Sequence, residues 1–240
     1  MARSSLAAGK PDAMTAASLR PTVESLSIAG PAGNIEAVLD TPRDADGTRV
    51  AVVCHPHPLY GGTMTNKVVH TLAKAFSELG LPALRFNYRG VGASAGSYGE
   101  GNGETDDAIA VIDWARQRWP QARLWLGGFS FGGPVAIRAS AQREADRIVT
   151  VAPAIQKVAV TGVKLPQCPW LLVQGDNDEL VDAREVQQWV QTLGRPPQLA
   201  LLPGVDHFFH GRLHDLREAV LTWARRIDAG DVAPPGGTSR

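Results

Sequence analysis

The residues with the most specific chemical meaning lie in the segment GGFSFGG, where Gly128, Ser130 and Gly132 form the pattern G-x-S-x-G. The pattern follows the apolar run RLWL and precedes PVAIRASA, a helix-compatible segment. A serine at a sharp strand-to-helix turn needs glycine neighbours, because the strand and the helix approach each other closely there. Its hydroxyl then lies at a helix N-terminus, where backbone N–H groups stabilise negative charge. The pattern predicts that Ser130 is a nucleophile.

A base and an acid are expected to accompany this serine, because a hydroxyl is a weak nucleophile until a histidine, itself oriented by a carboxylate, accepts its proton. Asp178 follows the apolar run WLLVQ, and His207 follows LALLP. The order Ser, Asp, His is the one expected when G-x-S-x-G stands between a strand and a helix. Asp176 lies in the same turn as Asp178 and is a rival for the acidic position, since turns of this type tolerate aspartate at either place.

Three other polar residues near His207 are interpreted as structural. Asp206 is adjacent to His207 in the chain, and adjacent side chains rarely face each other. His210 and His214 are one turn apart at the expected start of the last helix, so we expect them on a solvated or partly packed face.

Short apolar runs that alternate with helical segments predict the fold. Runs at 23–28 and 35–39 predict an opening hairpin, and continuous apolar runs follow at 50–54, 82–86, 124–126, 148–151, 170–173 and 199–202. Unalternating runs are typical of strands that are covered on both faces. Helical stripes are formed by Ala108, Val111, Ile112 and Ala115, by Val186, Trp189, Val190 and Leu193, and by Leu216, Val220, Trp223 and Ile227.

This alternation predicts one α/β domain over residues 21–228, with flexible tails at 1–20 and 229–240. Its core is a doubly wound, mostly parallel sheet of about eight strands, in which chemistry gathers at the carboxyl ends of the strands. The glycine-rich stretch 89–103 lacks a following phosphate-binding pattern and is interpreted as a mobile loop at the rim of the site.

Composition excludes several classes of protein. The 24 basic and 24 acidic residues cancel, which argues against a nucleic-acid partner because such binding depends on a basic excess. Two cysteines form neither a disulfide framework nor a zinc ligand set, and they fit a reducing cytoplasm. No segment has the length and apolarity of a membrane span, and residues 1–20 have no signal-peptide core. We therefore expect a cytoplasmic protein without a membrane partner; the sequence carries no signature of oligomeric state.

These motifs together resemble the α/β-hydrolase family over about residues 23–227. GDNDELV resembles the G-x-x-D-x-x-V around the family's triad acid, which favours Asp178 over Asp176. PGVDHFF resembles the segment around the triad histidine, and RFNYRGVGASAG resembles the loop after the fourth strand. The chain is most similar to small serine hydrolases near the dienelactone hydrolases. Those enzymes proper use cysteine where this chain has Ser130, so lactone specificity is not implied.

The resemblance implies hydrolysis of an acyl substrate, most simply a carboxylic ester, through an acyl-enzyme on Ser130, without a cofactor. It also implies two backbone N–H donors for the oxyanion. One is the residue after the nucleophile, Phe131. The other comes from the loop CHPHPLYGG, where Pro56 and Pro58 have no N–H, so His57 is the expected donor and Leu59 the next candidate.

Other functions remain open at this stage. The same triad serves thioesterases and amide hydrolases, and the fold also occurs in non-catalytic binding proteins. His55 and His57 form the pair H-x-H, which supplies metal ligands in a different class of hydrolase, although that reading leaves Ser130 unexplained.

The expected access to the site follows from the length of one connection. Many α/β-hydrolases insert a helical cap between the sixth strand and the strand that precedes the acid. Here only residues 153–168 make that connection, and a crossover between parallel strands itself takes about 10–12 residues. Stretch 89–103 has too few apolar residues to pack as a cap. The sequence therefore predicts a cap-less, open site that favours short or protruding acyl groups.

Overall fold

The computed structural model describes residues 21–156 and 158–231. The predicted tail 1–20 and most of the tail 229–240 lie outside the described residues. Within them the chain forms eight strands, β1 (Thr22–Gly30), β2 (Gly33–Thr41), β3 (Arg49–Cys54), β4 (Ala83–Phe86), β5 (Arg123–Phe129), β6 (Arg147–Val151), β7 (Trp170–Gly175) and β8 (Gln198–Leu202). The α-helices there are α1 (Lys67–Glu78), α2 (Asn102–Arg118), α3 (Gly132–Gln142), α4 (Ala183–Gln191) and α5 (Leu213–Asp228). Every predicted strand overlaps one of the eight.

All eight strands form one sheet, in the order β1-β2-β4-β3-β5-β6-β7-β8. Strand β2 pairs antiparallel with both β1 and β4, whereas the remaining neighbours are parallel. This confirms the predicted doubly wound, mostly parallel sheet. The carboxyl ends of β3, β5, β6, β7 and β8 consequently lie along the same edge of the sheet, where the predicted site residues follow their strands.

The sheet is covered by apolar residues on both faces, which is why its strands read as unbroken apolar runs. In β3, Val50, Val52 and Cys54 belong to the core between the sheet and helices α2 and α3. The intervening Ala51 and Val53 belong to the opposite core, beneath α1 and α5. Successive side chains of a strand point to opposite faces, so one short run serves both cores.

Both cysteines are free among the described residues. Cys54 is buried at the end of β3, and burial raises the pKa of its thiol to about 12. Cys168 is partly buried, and burial raises its pKa to about 11. Thiols that ionise so reluctantly are poor nucleophiles, which fits the structural part that the sequence indicates for them.

Two helical features differ from the predicted stripes. None of the predicted stripes falls within helix α1. This helix begins after Asn66, whose side chain accepts the N–H groups of Val68 and Val69. Helix α4 ends at Gln191, so Leu193 lies beyond it, in a turn in which its N–H is donated to the Val190 carbonyl. Tight turns of this kind commonly finish a helix and extend its apolar side by one residue.

The connection from β6 to β7 contains no helix over residues 152–156 and 158–169, so the described part of the chain has no cap inserted there. None of the described helices has the length and apolar character that crossing a membrane demands.

Glycine makes the closest contact between layers possible where α3 begins. A Cβ on Gly132 would lie 2.3 Å from the carbonyl oxygen of Cys54 and 2.6 Å from that of His55. Both of these atoms are backbone, so neither can turn away. Helix α3 therefore reaches the end of β3 only because residue 132 has no side chain.

We predict that Gly132→Ala lowers the free energy of unfolding by about 2–3 kcal/mol, because the added methyl group forces the backbone of β3 and α3 apart. Gly194→Ala is the matched control, since nothing lies within 4 Å of a Cβ there. Chemical denaturation of both variants measures the difference. Equal stability of Gly132→Ala and the wild type would contradict this packing argument.

Candidate active site

Ser130 stands at the sharp turn between β5 and α3. Its φ is +53°, a left-handed conformation that serine rarely adopts, and its N–H is donated to the Val151 carbonyl at 2.8 Å. A Cβ on Gly128 would lie 2.0 Å from the Gly132 carbonyl oxygen, so the turn tolerates no side chain at that position. The two glycines of the motif thus permit the strained backbone that presents the Ser130 hydroxyl.

His207 follows β8 and lies next to this hydroxyl. Its Nε2 is 3.1 Å from the Ser130 Oγ, and its side chain is 3% exposed. Two aromatic rings contact the imidazole, Phe129 in a tilted arrangement at 5.1 Å and Phe208 in a perpendicular one at 5.0 Å between centroids. These contacts restrict the imidazole to one orientation, with Nε2 directed at Ser130.

Asp178 follows β7 and holds the other side of the same imidazole. Its two carboxylate oxygens lie 2.8 and 3.0 Å from the His207 Nδ1. One oxygen also accepts the N–H groups of Leu180 and Val181, at 2.9 and 2.8 Å. The rival Asp176 is exposed and instead accepts the N–H of Gly204 at 2.6 Å, closing a turn. The structure therefore brings Asp178, His207 and Ser130 together and leaves Asp176 out.

Two polar residues at this site were not identified from the sequence. Gln174 is fully buried near the end of β7, and its Nε2 donates to the Asp178 carboxylate at 3.0 Å and to the carbonyls of Gly175 and Val181. Glu179 accepts the backbone N–H of His207 at 3.2 Å. Gln174 could have been noticed in the sequence as a polar residue at the end of the apolar run WLLVQ. No sequence pattern singles out Glu179.

The remaining polar residues near His207 have structural contacts. Asp206 accepts both the backbone N–H and the ring Nδ1 of His210, at 2.9 and 2.8 Å, and therefore does not face His207. His210 precedes α5, whereas His214 lies within it, and both are exposed. This agrees with the solvated face that the sequence indicates for them.

The predicted oxyanion donors, Phe131 and His57, belong to two loops and line the same cleft as Ser130. No acceptor among the described residues takes the N–H of Phe131, which immediately follows the serine at the start of α3. In the other loop the N–H of Leu59 is donated to the His57 Nδ1 at 3.2 Å. The N–H of Leu59, the other candidate donor, is thus engaged within its own turn.

Comparison with known proteins gives this arrangement its context. Residues 49–166 match the family model described as serine aminopeptidase, S33. An uncharacterized protein of Rickettsia prowazekii is 35% identical, over 80% of this chain and 84% of its own. An alpha-beta serine hydrolase homologue from Coxiella burnetii is 42% identical over 83% of this chain and 96% of its own, with a TM-score of 0.80. The chain belongs to the α/β serine hydrolases.

A second solved structure bears on access to this hydrolase's site. A Xanthomonas campestris protein described as an α/β serine hydrolase without lid is 40% identical over 90% of this chain and 97% of its own, with a TM-score of 0.80. This hydrolase likewise has no helix inserted between β6 and β7 in its described residues. The predicted cap-less architecture is confirmed.

A cleft of about 460 Å³ opens beside the serine of this hydrolase. Ser130, Phe131 and His57 form part of its wall. Three large apolar side chains at the mouth, Tyr60, Leu180 and Phe208, are exposed to solvent. Its other described lining residues are Pro56, Gly61, Gly62, Asn66, Ala154, Glu179, Val181 and His207. The cleft is mostly apolar, and Glu179 is the one carboxylate among its described lining residues.

The histidine pair H-x-H has protein partners on all of its ring nitrogens. His55 is fully buried, with Nδ1 2.6 Å from the Pro56 carbonyl oxygen, while Nε2 accepts the N–H of Tyr88 at 3.1 Å. Burial lowers the pKa of His55 to about 3, so the ring is neutral at physiological pH. His57 contacts Leu59 and Tyr98 through its two nitrogens. No group of three potential metal ligands occurs within the described ranges. The hypothesis that His55 and His57 bind a metal ion therefore gains no support from this geometry.

Segment 89–103 lies beside the cleft, as expected for a rim loop. Its first residue, Arg89, forms a bidentate ion pair with the buried Asp107 of α2. Ser94 donates to the Asn87 carbonyl, and the Glu36 carboxylate accepts the N–H of Ala93. These bonds fasten the segment at several points, in contrast with the mobile loop that its glycines suggest.

Proposed function

We propose that this hydrolase cleaves carboxylic esters, with Ser130 as the nucleophile, His207 as the general base and acid, and Asp178 as the residue that orients His207. The observation that carries the proposal is the continuous line of hydrogen-bond contacts from Asp178 through His207 to Ser130. Three different loops contribute these residues at one edge of the sheet. Such a constellation is recognised by its geometry and the roles of its members.

In the first step Ser130 Oγ attacks the acyl carbonyl carbon while His207 Nε2 accepts the hydroxyl proton. The Asp178 carboxylate accepts the Nδ1–H and stabilises the imidazolium that forms. The carbonyl oxygen becomes negative and is stabilised by the N–H groups of Phe131 and His57. Each such donor contributes about 10²–10³ in rate, because its charge is arranged before the reaction begins.

Collapse of this intermediate breaks the ester bond, and the imidazolium returns its proton to the departing alcohol. A water molecule then attacks the acyl group on Ser130, with His207 Nε2 accepting one of its protons. The second collapse releases the carboxylic acid and restores the Ser130 hydroxyl. Ground-state His207 must therefore be neutral, with its proton on Nδ1 facing Asp178.

The apolar, open cleft supports a substrate with a neutral and compact or protruding acyl group. Tyr60, Leu180 and Phe208 offer apolar contacts at the mouth, and residues 21–156 and 158–231 form no cap that would shield a long acyl chain from water. A thioester would meet the same machinery. The description of the matched family model as a serine aminopeptidase, together with Glu179 in the cleft, also favours an aminoacyl amide as a second candidate, because a carboxylate attracts an α-amino group.

We predict that a fluorophosphonate probe labels the wild type and that Ser130→Ala abolishes labelling and lowers hydrolysis of p-nitrophenyl acetate and butyrate by more than about 10³-fold. Ser140→Ala is the control, since its hydroxyl donates only within α3, to the Ile137 carbonyl. Wild-type rates in Ser130→Ala would refute the assignment. The same assay with acyl thioesters and aminoacyl p-nitroanilides ranks the ester against the other two bond types.

We also predict hydrolysis that is fastest for short or aryl acyl esters and changes smoothly as a substrate passes its micellar threshold. Activation at an interface requires a lid that opens, and the connection between β6 and β7 supplies none among its described residues. Initial rates against concentration, for p-nitrophenyl esters of graded chain length, test this. A jump in rate at the threshold, or a preference for long-chain triglycerides, would count against an open site.

A further inference from the structure

The imidazole of His57 makes two polar contacts that the reaction scheme above does not use. Its Nδ1 accepts the N–H of Leu59 at 3.2 Å and thereby caps the short 3-10 helix Pro58–Tyr60. A neutral ring that accepts at Nδ1 carries its proton on Nε2. The Nε2 lies 3.3 Å from the Tyr98 hydroxyl, so His57 donates and Tyr98 accepts.

These contacts act on a loop whose backbone is already tightly folded. The carbonyl of His57 accepts the N–H groups of both Tyr60 and Gly62 at 3.1 Å. A Cβ on Gly62 would lie 2.2 Å from the Pro56 carbonyl oxygen, so the loop closes on itself at this glycine. The direction of the His57 N–H is therefore linked to the position of the His57 ring, because the same residue supplies both.

The His57 ring also contacts the residue that follows the nucleophile. Its centroid lies 4.8 Å from that of Phe131 and 5.2 Å from that of Tyr98, and the Tyr98 and Phe131 rings are 6.1 Å apart. The side chains of both proposed oxyanion donors thus belong to one aromatic cluster, with Tyr98 as its third member.

The backbone that follows Tyr98 is bonded to a fully buried carboxylate. Glu104, in the first turn of α2, accepts the N–H of Gly99 at 2.8 Å and that of Gly101 at 2.7 Å. A buried carboxylate that accepts two backbone N–H groups fixes the peptide that it binds. The backbone just after Tyr98 is consequently anchored to α2, which limits the movement of the Tyr98 side chain.

We propose that the Tyr98–His57 hydrogen bond is a positioning device for the oxyanion hole. Tyr98 holds the His57 ring in the tautomer that caps Leu59, and the capped loop holds the His57 N–H toward the carbonyl oxygen of the substrate. Neither side chain touches the reacting atoms. The inference rests on the proposed function, in which that N–H stabilises the oxyanion.

The test compares His57→Leu, His57→Asn and Tyr98→Phe by steady-state kinetics on p-nitrophenyl butyrate. An asparagine oxygen can accept the N–H two residues on, as the imidazole does, whereas leucine cannot. We expect kcat to fall about 10- to 100-fold in His57→Leu, about 3- to 10-fold in Tyr98→Phe and less than about threefold in His57→Asn. KM should stay within about threefold throughout, because an oxyanion contact forms in the transition state.

His214→Asn, an exposed substitution on α5, controls for the change of residue type, and thermal unfolding monitors each variant. If His57→Leu does not fold, the kcat of Tyr98→Phe decides. If the wild type hydrolyses the ester, an unchanged kcat in Tyr98→Phe or in folded His57→Leu, or equal losses in His57→Asn and His57→Leu, would overturn the inference alone. A folded wild type that hydrolyses no acyl substrate and is not labelled at Ser130 would overturn the proposed function and the inference with it.

Discussion

A serine hydroxyl becomes a nucleophile only when a base accepts its proton, and in the proposed mechanism that base is the His207 Nε2, which lies 3.1 Å from the Ser130 Oγ. Much of the surrounding structure keeps this contact in place. Asp178 contacts the Nδ1 side of the imidazole, and the rings of Phe129 and Phe208 pack against it. The sheet brings the loops that carry these residues to the same edge, because the strands before them run parallel.

Backbone strain and close packing are the cost of presenting Ser130 in this way. The serine has a φ of +53°, and the neighbouring Gly128 and Gly132 sit where a Cβ would meet backbone atoms. Strained residues of this kind persist only when their surroundings determine them fully. Here the Ser130 N–H is donated to β6, and its carbonyl accepts the N–H groups of Gly133 and Ala154, so the turn is bonded on both sides.

The sequence was sufficient to predict the sheet and to select Ser130, Asp178 and His207, the three residues that the structure brings together, because both follow from local patterns. Unbroken apolar runs mark strands buried on two faces, and G-x-S-x-G marks a turn that only glycines permit.

Residues whose roles depend on distant contacts could not be found in this way. Gln174 reads as an isolated polar residue until β7 places it against Asp178. The sequence also left a metal site at His55 and His57 open as an alternative, because it could not show that their ring nitrogens contact the backbone and Tyr98. Helix α1 had no predicted stripe, and the glycine-rich composition of 89–103 gave no sign of the Arg89–Asp107 ion pair and the hydrogen bonds that fasten that segment.

The central claim is that Asp178, and not its neighbour in the same turn, orients His207, and a pair of isosteric substitutions tests it most directly. Asparagine at position 178 would favour the wrong tautomer of His207, so kcat/KM of Asp178→Asn on p-nitrophenyl butyrate should fall by about 10³–10⁴-fold. Asp176→Asn keeps an oxygen for the Gly204 N–H and should remain within about threefold of the wild type. Comparable activity in the two variants, or a larger loss in Asp176→Asn, would contradict the account.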